Sequence, residues 1–348
     1  MRIVMLMGGA NTERDVSLAS GIEVASALRA AGHEVANVDL ATEVDVSNGV
    51  DELFVSTDPH GWEPDVHREP PTHDEIAELR DRYPHTVFAP GVLDVCRAAD
   101  LVYPLVYSDE GEGGYIQAVL ELCDIPYVGP TPLGCSISFD KLTAKRLCRD
   151  SGLATPEWRV VRDDDDVDVV DFDGPWVVKP VRGGSTIGVT LASDRSELHE
   201  AVASSREYGA DALVEERIDG REFSLGVIGE EALAVVEIST DRELFDYVAK
   251  YQEGKADEVC PAPQADAERD ELQALAVRAH DVLVQGDHSA SRMDFLQDGD
   301  GRFYFLECNG LPGMTSTSLF PKSAMGAGMD LSQVCDRIAQ LAYEARVG

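Results

Sequence analysis

The first forty residues confine the chain to a small set of folds. Arg2–Met7 is an almost unbroken apolar run, as in a strand buried on both faces. The turn Gly8-Gly9-Ala10-Asn11 follows it. Apolar residues then recur at helical spacing through Val16, Leu18, Ile22, Ala25 and Leu28, and Gly32 stops the pattern. Residues 35–40 form a second strand. Strand, helix and strand in that order predict a βαβ unit and a doubly wound α/β domain at the N-terminus.

Residues 41–90 are polar and rich in Pro, Asp and His, and read as a long excursion with little core. Residues 101–106 resume the sheet, and a loop over 108–114 feeds a helix through Ile116, Val119, Leu120 and Leu122. Residues 125–129 are a short strand. A helix is predicted from Ser138 to Gly152. Strands over 176–180 and 187–190 bracket the glycine-rich loop Arg182-Gly183-Gly184. Strands then dominate, at 213–216, 223–228, 233–238, 292–296 and 302–307, and a helix over 331–345 follows. The pattern predicts three units, 1–129, 130–212 and 213–348, α/β at first and α+β in the C-terminal part.

Charge excludes several functions. Sixty-five acidic residues against 29 basic ones give a net charge of −36, so the basic footprint of a nucleic-acid-binding protein is missing. No apolar run approaches the ~18 residues that span a bilayer. The run at Ile3–Met7 is too short for a signal-peptide core, which predicts a cytoplasmic protein. The seven cysteines are scattered without C-x-x-C spacing and predict reduced thiols. His60, His67, His73 and His85 lie among Pro and acids in a surface loop with no H-E-x-x-H, and predict no metal site. Such acidity on an ordinary core predicts solubility in concentrated salt, where charge is screened within ~3 Å at about 1 M.

In this background only joint acidic patterns are informative, and one occurs near the C-terminus. Gln297-Asp298-Gly299-Asp300-Gly301 joins the last two strands as a hairpin. With a four-residue turn over 298–301, Gln297 faces Arg302 and Arg292 falls opposite Glu307. Alternation puts Arg292 and Asp294 on one face, together with Glu307 and Asn309, and places Phe303 and Phe305 there too. Two carboxylates and an amide oxygen beside a guanidinium suit Mg²⁺, which takes one or two protein carboxylates plus substrate phosphates.

A second element is Val178-Lys179-Pro180 followed by Arg182-Gly183-Gly184-Ser185-Thr186. Backbone N–H groups of such a turn can meet phosphate oxygens, with the lysine adding charge. It is not a Walker A loop.

Together these pieces resemble the D-alanine–D-alanine ligase family of the ATP-grasp fold. The co-linear matches are Gly8-Gly9…Glu13-Arg14-Asp15-Val16-Ser17, Gly111-Glu112-Gly113-Gly114, Phe139-Asp140-Lys141, Val178-Lys179-Pro180 and Arg182…Gly184-Ser185-Thr186…Gly188. They continue through Glu215…Glu222-Phe223, Tyr247…Ala249-Lys250-Tyr251, Arg292-Met293-Asp294, Glu307-Cys308-Asn309 and Pro312-Gly313-Met314-Thr315-Ser316…Ser318-Leu319. The resemblance implies a doubly wound pre-ATP-grasp domain and two α+β subdomains gripping ATP. It implies ATP-dependent joining of two D-alanines through an acyl phosphate, for peptidoglycan precursor synthesis, by a homodimer. At matching positions Asp294, Glu307 and Asn309 would hold two Mg²⁺ ions, with Mn²⁺ as a substitute. Lys141, Lys179 and Lys250 would neutralise ATP phosphates, with Glu215 at the adenine and Glu222 at the ribose. Glu13 would bind the first ammonium and, with Ser185 and Tyr251, shape the site. Arg292 and the Gly313 N–H would stabilise the oxyanion, and Ser318 and Leu319 would receive the second carboxylate. Residues 246–257 would form a water-excluding lid, and Tyr251 goes with amine acceptors.

The chain departs from the family at several positions. Tyr107-Ser108 replaces His-Gly, Gly113 replaces Asp, Gly183 replaces Glu, Cys308 replaces a small aliphatic residue, and Gly310-Leu311 replaces a stretch opening with Thr or Ser. Cys308 is predicted to point away from the metal face. Tyr107 and Gly113 lie where the first substrate is expected, which keeps open a ligase of the same family for other small amino or hydroxy acids. A degenerate nucleotide-binding module is the non-enzymatic alternative.

Overall fold

The computed structural model describes residues 1–62, 71–162, 166–184, 186–209, 211–239, 257–284 and 288–347. Ser185, Lys250, Tyr251 and the expected lid, except Asp257, lie outside this set. The opening βαβ unit forms as predicted: β1 (Arg2–Met7) pairs in parallel with β2 (Glu34–Asp39) across α1 (Arg14–Ala30). A third strand, β3 (Leu101–Pro104), pairs in parallel on the other side of β1. Both faces of β1 are used. Ile3, Met5 and Met7 pack with Val24 and Leu28 of α1, whereas Val4 and Leu6 enter a second cluster with Val38, Val92 and Ile116.

The excursion after β2 contributes more core than its composition suggests. Phe54, Phe88 and Ala89 are buried in that second cluster. A helix, α2 (His73–Arg82), starts from a capping box in which the Thr72 hydroxyl accepts from Glu75 N and Glu75 answers to Thr72 N. Isolated aromatics in a polar stretch give no periodicity, which is why they escape a pattern reading. Three further expectations change. Part of the predicted loop at 108–114 is a short helix, α3 (Ser108–Glu112). Residues 125–129 contribute only an isolated bridge, Val102 to Tyr127. The helix predicted over 138–152 is two helices, α4 (Pro132–Phe139) and α5 (Lys141–Asp150), broken where Asp140 caps Thr143 N at 2.8 Å.

The central sheet is antiparallel, in the order β4 (Trp158–Val161), β7 (Ala212–Glu216), β5 (Trp176–Pro180), β6 (Thr190–Ala192). The strand expected at 187–190 thus begins only at Thr190. The C-terminal sheet has six strands, with β8 (Gly220–Ile228) and β12 (Ala290–Asp298) at its middle and β13 (Phe303–Asn309) at one edge. The strand predicted over 233–238 is two, β9 (Glu231–Ala232) and β10 (Val236–Ser239), and β11 (Asp257–Val259) forms the other edge.

The units interlock. Ala212–Glu216 belongs to the central sheet, across the division expected at 212/213, and Ala144 and Cys148 of α5 pack into the C-terminal core with Phe223, Met293 and Phe305. The final helix, α6 (Leu331–Val347), packs on α1 and adds Val334, Ile338 and Ala342 to the core of the first sheet. All seven cysteines are free, as expected. Among the described residues no helix is long and apolar enough to cross a membrane.

Candidate functional site

The β12–β13 hairpin carries the expected cluster in a shifted register. Gln297 pairs with Phe303, because the Asp298 carboxylate gathers the N–H groups of Asp300 and Arg302 and lengthens the turn by one residue. A bulge between the Asp294 and Phe295 pairings adds a second residue. Arg292 therefore lies opposite Asn309, not Glu307, and Asp294 lies directly opposite Glu307. A shift of two preserves the parity of the site-facing set. The bulge reverses the aromatic expectation: Phe303 and Phe305 turn into the C-terminal core beside Phe295, and Leu306 joins Glu307 on a cavity wall. Cys308 points into the core, away from the acids, as expected.

Asp294, only 6% exposed, is the focus of this cluster. Ser224 Oγ on β8 donates to its Oδ1 at 2.6 Å, and Arg292 donates to both oxygens at 2.8–3.2 Å. The Asn309 amide lies 3.5 Å from Oδ2, and Arg292 Nη2 is 3.8 Å from Glu307 Oε1. Among the described residues no three His, Cys, Asp or Glu side chains cluster closely enough to hold a metal ion. Two carboxylates and an amide fit a hard cation when substrate oxygens complete its shell.

This cluster forms one wall of a cavity of about 470 Å³ between the central and C-terminal sheets. Lys141 and Lys179 line it, with Glu215, Glu222, Arg292, Asp294, Glu307 and Leu319. Lys141 occupies the first turn of α5, and its ammonium donates to the Gly183 carbonyl, tying the glycine-rich loop to the helix. Lys179 Nζ pairs with Glu215 at 2.8 Å. Burial would raise the Glu215 carboxyl, but Lys145 and Lys179 outweigh it and hold it below the usual range.

A second cavity of about 80 Å³ opens on the other side of Arg292 and Glu307. Glu13, Tyr107, Glu112, Asn309, Gly313, Ser318 and Leu319 line it. The Glu13 carboxylate reaches the glycine-rich loop: a Cβ on Gly184 would lie 3.4 Å from its Oε2. The Ser318 hydroxyl lies beside Gly313, 3.0 Å from where a Cβ would sit, and bonds Thr315 Oγ1 at 2.8 Å. Lys141, Arg292, Glu307 and Leu319 border both cavities. The described candidates thus converge on two connected spaces.

The departures have local explanations. Tyr107 packs with Val16 and Leu311, and its hydroxyl donates to the Pro312 carbonyl at 3.5 Å. At Gly113 a Cβ would stand 2.3 Å from the Asp109 carbonyl oxygen, so this backbone does not admit a side chain. Three residues were not assigned roles from sequence. Glu112 lines the smaller cavity and accepts from Ser108 N at 2.8 Å; burial pushes its carboxyl up to about 8, and the Glu13 charge adds to the push. Lys145 is buried against Glu215, and Ser224 holds Asp294. Lys145 lies one helical turn after Lys141, a spacing the sequence does show, whereas nothing in sequence links Ser224 to Asp294.

Comparison with known proteins is consistent across the chain. The family profile "D-ala D-ala ligase N-terminus" matches residues 2–130, and "D-ala D-ala ligase C-terminus" matches residues 147–340. A D-alanine–D-alanine ligase of Pediococcus pentosaceus is 34% identical over 342 residues, covering 97% of this chain and 96% of its own. One from a Marinomonas species is 34% identical, covering 98% and 96%. Among solved structures, the D-alanine–D-alanine ligase of Bacillus anthracis complexed with ATP superposes with a TM-score of 0.75 at 25% identity, covering 100% of this chain and 98% of its own. The VanG D-Ala:D-Ser ligase of Enterococcus faecalis gives the same score and identity, covering 98% and 99%.

Proposed function

The chain belongs to the D-alanine–D-alanine ligase family, and on that premise we propose that it joins two D-alanines into D-alanyl-D-alanine while converting ATP to ADP and phosphate. The observation that carries this reading is the meeting of a large cavity and a small one at Arg292 and Glu307. Phosphoryl donor and amino-acid carboxylate then face each other across these side chains.

The chemistry follows from what a carboxylate lacks. It is a poor electrophile, so one of its oxygens first attacks the γ-phosphorus, the bond to ADP breaks, and an acyl phosphate forms. Lys141 and Lys179 line the larger cavity and neutralise the phosphates; Glu215 and Glu222 serve the adenine and ribose. Asp294, Glu307 and Asn309 would hold Mg²⁺, two ions or Mn²⁺ in their place, which when bound offsets charge on the transferring phosphoryl group. Glu13 takes the ammonium of the first D-alanine, and Ser318 with Leu319 receives the carboxylate of the second. The second amine attacks the acyl carbon, sheds a proton, and phosphate leaves with the bonding pair. Arg292 and the Gly313 N–H meet the oxyanion formed on the way. The product would feed peptidoglycan precursor synthesis by a cytoplasmic homodimer.

A second reading, ligation of other small amino or hydroxy acids, is favoured by Tyr107 where the family carries histidine. One experiment separates the two. Phosphate release is measured in KCl with ATP, Mg²⁺ and a panel of D- and L-amino acids and hydroxy acids, and products are identified by mass. Release with D-alanine yielding the dipeptide supports the first reading; turnover only with other pairs selects the second. No turnover with any pair would overturn both.

A further inference from the structure

Lys145 has no part in the chemistry above, yet its side chain is fully buried. It projects from α5, whose Ala144 and Cys148 pack into the C-terminal core, and its ammonium reaches Glu215 of the central sheet. There its Nζ lies 2.9 Å from Glu215 Oε1, while Lys179 Nζ lies 2.8 Å from Oε2. Trp158, the cross-strand neighbour of Glu215 on β4, places its ring 5.2 Å from the Lys145 ammonium, and the Arg149 guanidinium lies 3.6 Å from the same ring centroid. One carboxylate therefore bridges two ammonium groups, and only one of these, Lys179, lines the larger cavity.

The arithmetic of charge gives this arrangement a purpose. Glu215 with Lys179 alone is a neutral pair, and a neutral pair attracts a polyphosphate weakly. Lys145 raises the trio to a net positive charge without entering the cavity. We propose that Lys145 is a positioning residue: it occupies half of the Glu215 carboxylate, so that Lys179 presents uncompensated positive charge to the nucleotide phosphates. It also ties α5, and with it Lys141, to the sheet that carries Lys179. The inference rests on the reading that the larger cavity takes ATP.

The surroundings set a pH range for this device. Burial pushes the Lys145 ammonium down to about 8; Glu215 on β7 pulls it back up, and Lys179 on β5 and Arg149 on α5 push it further down. The Cys148 thiol on the same helix is raised by burial to about 12 and remains neutral. Lys145 is thus charged at pH 7 and discharged at pH 9, and the trio loses its surplus charge between them.

The test is equilibrium binding of Mg-ATP and of adenosine to the full chain, wild type against Lys145→Met, with Lys145→Gln as a second variant and circular dichroism to confirm folding. We expect ATP affinity to fall about tenfold, the order expected for one unit of charge near a protein surface, with adenosine affinity little changed. Wild-type affinity for ATP should decline from pH 7 to 9, and that of the variants should not. Unchanged ATP affinity in the variants, or an equal loss for adenosine, would overturn the inference alone. A wild-type chain that binds no ATP would overturn the functional reading, and this inference with it.

Discussion

Asp294 draws Ser224, Arg292 and Asn309 onto one buried carboxylate, so its charge is the least replaceable in the site. Asp294→Asn should abolish Mg²⁺-dependent turnover, and near-normal activity in a phosphate-release assay would contradict its assignment. Arg292→Ala would remove the proposed oxyanion donor and should lower kcat by ~10²–10³; steady-state kinetics at saturating ATP reads this directly. Asp39 tests folding instead. Burial would raise its carboxyl, but Arg14, Thr42 and the Ala41 N–H outweigh that and hold it below the usual range. Its stabilisation is therefore present above the unfolded value near ~3.9 and lost as pH falls through the lower folded value. Asp39→Asn leaves Arg14 without its charge partner and should cost about 3–5 kcal/mol in urea unfolding at neutral pH, a deficit that narrows toward pH 2. Alternation and spacing made Asp294, Glu307 and Asn309 legible in the sequence. Ser224 was not, because its contact with Asp294 depends on the register of β8 with β12.

At the scale of elements, the hairpin is the instructive case. The face carrying Asp294, Glu307 and Asn309 could be assigned from sequence, but the pairings and the side taken by Phe303 and Phe305 could not, since a longer turn and a bulge each add one residue. Most strands announced themselves by apolar patterning, but the edge strands β4 and β11 did not, and the helix over Ser108–Glu112, short, polar and containing glycine, gave no such signal either. That helix is tightly constrained: a Cβ on Gly111 would fall 1.6 Å from the Val106 carbonyl oxygen. Gly111→Ala should destabilise the fold by at least ~1–3 kcal/mol, seen as a lowered denaturation midpoint. Asp140 separates α4 from α5 and caps Thr143 N. Asp140→Ala should cost about 1 kcal/mol and weaken ATP binding, because Lys141 sits in the turn that the cap fixes; unchanged stability and affinity would contradict this.

At the scale of the molecule, a net charge of −36 surrounds a core of ordinary composition. Self-repulsion should make the folded state salt-dependent, and the melting temperature should rise as KCl is raised toward molar concentration. A melting curve indifferent to KCl would mark the acidity as incidental. Three sheets bring their edges and loops together, so the larger and smaller cavities meet where N-terminal, central and C-terminal elements converge. No single stretch of sequence displays that convergence; only the co-linear order of many weak motifs does. In the proposed reaction a carboxylate oxygen attacks the γ-phosphorus before an amine displaces phosphate. D-Alanine labelled with ¹⁸O in its carboxyl group tests it directly. Each dipeptide formed should deliver one ¹⁸O to the released phosphate; dipeptide accompanied by unlabelled phosphate would rule out the acyl phosphate.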